Sequence, residues 1–217
     1  MTLHHDDRIR VLLDHAVSVR GFMPDDEGIA LYEAGLEAGT RFPGGAFLEI
    51  GAWCGKSSVY LGAAAESTHS VLFSLDHHRG SEENQVGWEH HDEDLVDAHD
   101  GRLNTLPHWQ RSIGDVDLEM SVVGLVGDSR VVSSLWTTPL SLCFIDGGHG
   151  EEPAWNDFNG WTPHIAPRGL LAIHDVFENP DDGGRPPYEI YCAALESGKF
   201  AEIGATGSLR VLERRAA

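Results

Sequence analysis

Apolar positions at Ile9, Leu12, Leu13, Ala16 and Val17 recur at helical spacing and predict a helix over 5–20 that stops at Gly21. Pro24 suits the first turn of a second helix, with Asp25, Asp26 and Glu27 at its positive end. That helix carries Ile29, Leu31, Tyr32 and Leu36 and should end near Gly39. The period then changes. AFLEIG (46–51), VLFSLD (71–76), SVVGLVGD (121–128), LSLCFID (140–146) and GLLAIHD (169–175) are short, nearly continuous apolar runs, most of them ending in an acid. Helix-like segments separate them: 57–65, VVSSLW, EEPAWNDFNGW and 188–198. FAEIGA and SLRVLE close the chain as two strands around Ala205-Thr206-Gly207, a spacing that predicts an antiparallel hairpin. Continuous apolar strands alternating with helices argue an α/β fold with a mostly parallel sheet covered on both faces.

Residues 77–118 break this rhythm. HHRGSEENQVGWEHHDEDLVDAHDG is too polar for a core element and too long for an ordinary loop. It holds five of the 13 histidines, at no recognised metal spacing. We read 77–104 as an insertion over the active face, 1–43 as N-terminal helices, and 1–217 as one domain. Pro107 to Ile113 predict a helix that returns the chain to the sheet. Trp155, Phe158 and Trp161 stand at i, i+3 and i+6, the spacing of helix packing.

Composition narrows the function. Apolar residues make up 41% and charged residues 23%, enough for a core. The net charge is −20, a surface that repels phosphate backbones and anionic membranes, so neither nucleic acid nor membrane is expected as a partner. Cys54, Cys143 and Cys192 form neither a disulfide framework nor a CxxC site, which suits a reducing compartment. MTLHHDDRIR lacks the apolar stretch of a signal peptide, and a cytoplasmic protein is expected.

Four motifs sit at predicted strand ends, where ligands bind in open parallel sheets. The first is E-I-G-A-W-C-G-K-S, with Glu49, Gly51, Trp53, Gly55 and Ser57 as candidate ligand-binding residues. Its glycines permit a tight turn and close approach of a ligand. Trp53 occupies the place of a dinucleotide fingerprint's second glycine and argues for a ligand without pyrophosphate. The second is Asp76, 21 residues after Gly55, placed to accept both hydroxyls of a ribose. The third is V-G-D-S, where Asp128 and Ser129 either contact an adenine or cap the next helix. The fourth joins F-I-D-G-G-H to I-H-D. Asp146, His174 and Asp175 supply two carboxylates and an imidazole, a set that can hold a divalent cation. His149 lies three residues beyond Asp146 and is a natural general base.

In this order the motifs resemble the class I methyltransferases that use S-adenosylmethionine, over residues 44–214. The resemblance implies a Rossmann-like sheet of seven strands, six parallel and one antiparallel, with S-adenosylmethionine bound by Glu49, Gly51, Trp53, Gly55, Ser57, Asp76, Asp128, Ser129 and Asp146. D-x-x-H, followed 28 residues after its Asp by His174-Asp175, is similar to the metal-dependent sugar O-methyltransferases of macrolide tailoring. L-D-H-H-R-G-S-E-E and I-H-D-V-F are similar to actinobacterial mannoside O-methyltransferases of methylmannose polysaccharide synthesis. Carried over, Asp146, His174 and Asp175 hold magnesium and His149 is the base. An imidazole where that family has an acid tilts the site toward manganese.

The expected function is therefore metal-assisted methylation of a sugar hydroxyl on a small-molecule or oligosaccharide acceptor, with a homodimer as the assembly to test. A catechol or phenol acceptor is the alternative within the class. A nucleotide-binding oxidoreductase is opposed by Trp53, and a non-catalytic binding module by the set Asp146, His149, His174 and Asp175.

Overall fold

The computed structural model describes residues 5–81, 84, 92–148 and 150–216. Seven strands form one sheet in the order β3-β2-β1-β4-β5-β7-β6. They are β1 (Ala46–Ile50), β2 (Val71–Asp76), β3 (Val122–Val126), β4 (Leu140–Ile145), β5 (Ile165–Ile173), β6 (Phe200–Thr206) and β7 (Leu209–Arg214). The pairs from β3 through β5 are parallel, and β7 runs antiparallel to both β5 and β6. This is the expected fold: a Rossmann-like sheet of six parallel strands and one antiparallel strand, with helices around it.

Alternate residues of each strand feed two cores. Phe47, Leu72, Leu142, Phe144, Leu170 and Ala172 face α1 (His5–Ser18), α2 (Asp25–Arg41), α3 (Lys56–Thr68) and α4 (Leu106–Gly114). Leu48, Ile50, Cys143, Ile145, Leu171 and Ile173 face α6 (Glu151–Trp161) and α7 (Arg185–Glu196), through Ala154, Phe158, Trp161 and Ile190. Burial on both faces explains why the strands read as unbroken apolar runs. Phe158 and Trp161 serve as helix packing, as their spacing predicts. At the β3 edge the cover thins: Val123 and Val126 are exposed, and α5 (Ser129–Leu135) has no buried residue.

Two boundaries differ from expectation. β5 begins at Ile165 rather than at 169, running through Pro167 and a positive φ of 69° at Arg168, and its pairing with β4 shifts register there. α7 begins at Arg185 because Pro186 and Pro187 sit in its first turn, where a missing N–H costs nothing. The insertion is also less polar in effect than in composition. Leu95 and Leu103 are buried with Cys54, against Trp53, and Val96 bridges Leu103. Its His90 and His91 lie outside the described residues. His78 is buried, with Nδ1 2.8 Å from the Thr105 hydroxyl, and burial lowers its pKa. Among the described residues no helix is long and apolar enough to cross a membrane.

Candidate active site

The strand order reverses between β1 and β4, which opens a crevice beyond their carboxyl ends. The register aligns Ile50 with Leu75 and Ile145, and Ile145 with Ile173. Each ladder runs one step further: Gly51 N–H to Leu75 O (3.0 Å), Asp146 N–H to Ile50 O (2.9 Å) and His174 N–H to Ile145 O (3.1 Å). Gly51, Asp76, Asp146 and His174 are thereby set along one rim.

Close approach shapes the β1 turn. Gly51 has φ 91°, and a Cβ there would lie 2.0 Å from the Asp146 carbonyl oxygen. Trp53 follows with φ 48°, strained for a side chain of its size. The strain is held by Asp76, whose carboxylate accepts the Trp53 N–H at 2.8 Å and the His78 N–H at 2.7 Å. Each Asp76 oxygen keeps a lone pair, and the side chain is 13% exposed, so its two acceptor oxygens suit the two hydroxyls of a ribose. The Trp53 ring packs on Phe22, 5.9 Å between centroids. Gly55, φ 98°, is the N-cap of α3 and turns the chain into it.

Two of the expected cofactor contacts, Glu49 and Ser57, lie in a buried network. Glu49 is 0% exposed. It accepts hydrogen bonds from Ser57 and Ser58 at 2.5 Å and from Ser74 at 2.7 Å. Burial pushes its pKa up to about 7. Glu49 and Ser57 therefore form a buried clamp joining β1, β2 and α3. Trp109 Nε1 donates to Ser58 at 3.0 Å and closes the same network from α4.

At the end of β3 the capping reading of Asp128 is realised. Its carboxylate accepts the Arg130 N–H at 2.9 Å and pairs with the Arg130 guanidinium at 2.6 Å, which lowers its pKa to about 2. Ser129 joins two helices. Its hydroxyl accepts from Trp161 Nε1 at 2.7 Å and bonds Asp157, so it ties α5 to α6. Asp157 escaped the sequence reading. It is buried on α6, its pKa is pushed up to about 6 by burial, and it abuts Gly147, where a Cβ would come 2.8 Å from Oδ2.

The fourth motif gathers as expected for Asp146, His174 and Asp175, whose ligand atoms lie within 4.8 Å of one another. His174 is 5% exposed. Its Nδ1 stands 3.0 Å from Asp146 Oδ1 and 3.4 Å from Asp175 Oδ2. Asp175 has φ 56°, a strained backbone at the end of β5 that turns its carboxylate back to the cluster. Burial works against charge on the ring, but Asp146, Asp175 and Glu27 outweigh it and raise the His174 pKa far above the imidazole range. A divalent cation taking Nδ1 would displace a proton there. Two carboxylates and one imidazole nitrogen at this spacing suit such an ion. His149 lies outside the described residues.

Comparison with known proteins agrees with this architecture. Among solved structures, the O-methyltransferase NovP superposes with a TM-score of 0.71 at 13% identity, covering 98% of each chain. TomG, an O-methyltransferase from Streptomyces achromogenes involved in tomaymycin synthesis and solved with SAM, gives 0.62 at 13% identity over 100% of this chain and 93% of that one. An O-methyltransferase from Bacillus cereus in complex with SAH gives 0.63 at 13% identity over 96% and 91%. At such identities the likeness is one of fold. The sequence itself matches the family described as a methyltransferase domain over residues 48–176. That match spans more than half of the 217 residues, and on that ground the chain belongs to the methyltransferase-domain family.

Proposed function

We propose that this protein transfers the methyl group of S-adenosylmethionine to a hydroxyl oxygen of a sugar, on a small-molecule or oligosaccharide acceptor, in the cytoplasm. One observation carries the reading: Asp76 and the trio Asp146, His174 and Asp175 share one rim of a methyltransferase sheet. The similar O-methyltransferases named above, two of them with SAM or SAH bound, support it. The net charge of −20 favours an acceptor without a phosphate backbone.

Bound S-adenosylmethionine supplies a methyl already activated by a sulfonium, and a bound magnesium or manganese ion supplies Lewis acidity toward the acceptor hydroxyl. The chain does the rest. Asp76 accepts the ribose hydroxyls, and the turn at Gly51 brings backbone close to the methionine part. Asp146 and Asp175, with His174 Nδ1, hold the cation. An imidazole nitrogen of His149 accepts the hydroxyl proton. A sugar hydroxyl ionises far above neutral pH, so removing its proton is the difficult part, and alignment of oxygen, carbon and sulfur supplies much of the remainder.

The test incubates the protein with methyl-labelled S-adenosylmethionine and a panel of mannosides, other sugars and catechols, before and after exhaustive chelation. Label on a sugar, lost on chelation and restored by magnesium or manganese, is expected. Label on catechols alone would overturn the sugar acceptor. Full turnover after chelation would overturn the cation and leave the trio as hydrogen-bonding groups for substrate. Binding of NAD instead of S-adenosylmethionine would overturn methyl transfer.

A further inference from the structure

Glu27 sits in the first turn of α2, remote in sequence from every strand end, yet it is 4% exposed. Its partners come from opposite parts of the chain. Oε1 accepts the backbone N–H of Ser208 at 2.6 Å, and Oε2 accepts the Ser208 hydroxyl at 3.1 Å. Oε2 also faces His174 Nε2 at 2.5 Å. The β6–β7 turn is shaped around this carboxylate: a Cβ at Gly207 would lie 2.0 Å from Oε1. Val176 N–H bonds Ser208 O at 3.0 Å, which ties the same turn to the loop carrying Asp175.

With Glu27 ionised, the donor and acceptor rules leave one solution. The Ser208 amide can only donate, and a carboxylate flanked by that amide and a hydroxyl acts as acceptor. The hydrogen between Glu27 and His174 therefore resides on Nε2. The opposite nitrogen, Nδ1, is the one turned toward Asp146 and Asp175. We propose that Glu27 is a positioning residue, which fixes the His174 ring with Nε2 protonated and Nδ1 presented to the Asp146–Asp175 pair. An imidazole that ligates a metal needs this kind of support, a carboxylate on its other nitrogen. The proposal rests on the cation reading above for its consequence, but not for the orientation of the ring.

Glu27→Gln separates positioning from a merely structural clamp. The shape is kept. The new carbonyl oxygen must meet the Ser208 N–H, because an amide NH₂ there would set donor against donor. Its NH₂ then faces His174 Nε2, which must accept, and the ring is left with a proton on Nδ1 alone. Two readouts follow on the full chain. In long-range ¹H–¹⁵N spectra, with the His174 signals assigned by their loss in His174→Gln, Nε2 should be protonated in the wild type and unprotonated in Glu27→Gln. Binding of Mn²⁺ alone, followed by the paramagnetic resonance of the free ion, should weaken by ~10–100-fold in the variant. Affinity for S-adenosylhomocysteine should hold, since Asp76 and Gly51 lie on other strands.

An unprotonated Nε2 in the wild type would overturn the proposal without any variant. So would a folded Glu27→Gln with both Mn²⁺ affinity and the His174 nitrogen signals unchanged. If the wild type binds no Mn²⁺ while Nε2 changes as expected, the positioning role stands and the cation reading falls. Ser208→Ala keeps the backbone donor and should leave the nitrogen signals as in the wild type; a switch of protonation there would also count against Glu27.

Discussion

Replacing Glu49 by glutamine should flatten the pH dependence of stability. Glu49 is fully buried, and burial moves its pKa from 4.5 to about 7 despite three hydroxyl donors. Between those values the folded protein holds a proton that the unfolded chain has released. The folded state thus binds more protons, and stability falls as pH rises through the window. At ~1.4 kcal/mol per pH unit, the span from 4.5 to about 7 corresponds to a loss of ~3 kcal/mol, absent at the acid end and complete above about pH 7. Glutamine is neutral throughout, and the hydroxyls of Ser57, Ser58 and Ser74 can donate to its carbonyl and accept from its amide. Urea unfolding of both proteins at several values from ~pH 5 to ~pH 8 is the assay. Other titrating groups, Asp157 among them, act alike in both proteins and cancel in the difference. That difference should shift in the variant's favour by ~2–3 kcal/mol from acid to alkaline pH. A difference that stays constant with pH would refute the buried, half-protonated clamp.

Asp76→Ala should weaken S-adenosylhomocysteine binding by ~2–4 kcal/mol in calorimetry, whereas Asp76→Asn, which keeps one acceptor for the Trp53 and His78 amides, should lose less; unchanged affinity in both would remove Asp76 from the ribose. His149→Ala should lower turnover by ~10²–10⁴ with cofactor affinity intact, and the wild-type rise of rate with pH through the imidazole range should disappear in it. Near-normal turnover would place the base elsewhere. Gly51→Ala should unfold at markedly lower temperature or fail to fold, because its Cβ would strike the Asp146 carbonyl at 2.0 Å with φ at 91°; a thermal midpoint equal to wild type would contradict the close approach of β1 and β4.

Most of the strand positions and the rim residues are legible in the sequence because apolar period and glycine placement report directly on buried strands and tight turns. Asp76, Asp146, His174 and Asp175 stand at strand ends, and strand ends are easy to find. What sequence concealed was the direction in which a side chain points. Glu49 and Ser57 read as ligand residues because they belong to the turn, but period-2 alternation sends Glu49 inward beneath it. Ser129 reads as an adenine contact or a helix cap, while α5 turns it toward Trp161. Glu27 read as one of three acids favouring the start of α2. Its partners His174 and Ser208 are 147 and 181 residues away, a separation no local pattern reports. The beginning of β5 was hidden for a different reason: Pro167 and Arg168 carry loop chemistry inside a strand.

That separation has a consequence on the ribosome. At ~5–20 residues per second, ~10–40 s pass between the emergence of Glu27 and that of Ser208. Only in the last part of that interval, once β5 has emerged, can the sheet from β1 to β5 assemble, and then the carboxylate above its rim still lacks the amide it will finally bind and the edge of β5 awaits β7. The nascent domain therefore carries an open sheet edge and an unsatisfied acid at the place that later does the chemistry, so competence arrives with the closing hairpin and in a single late step.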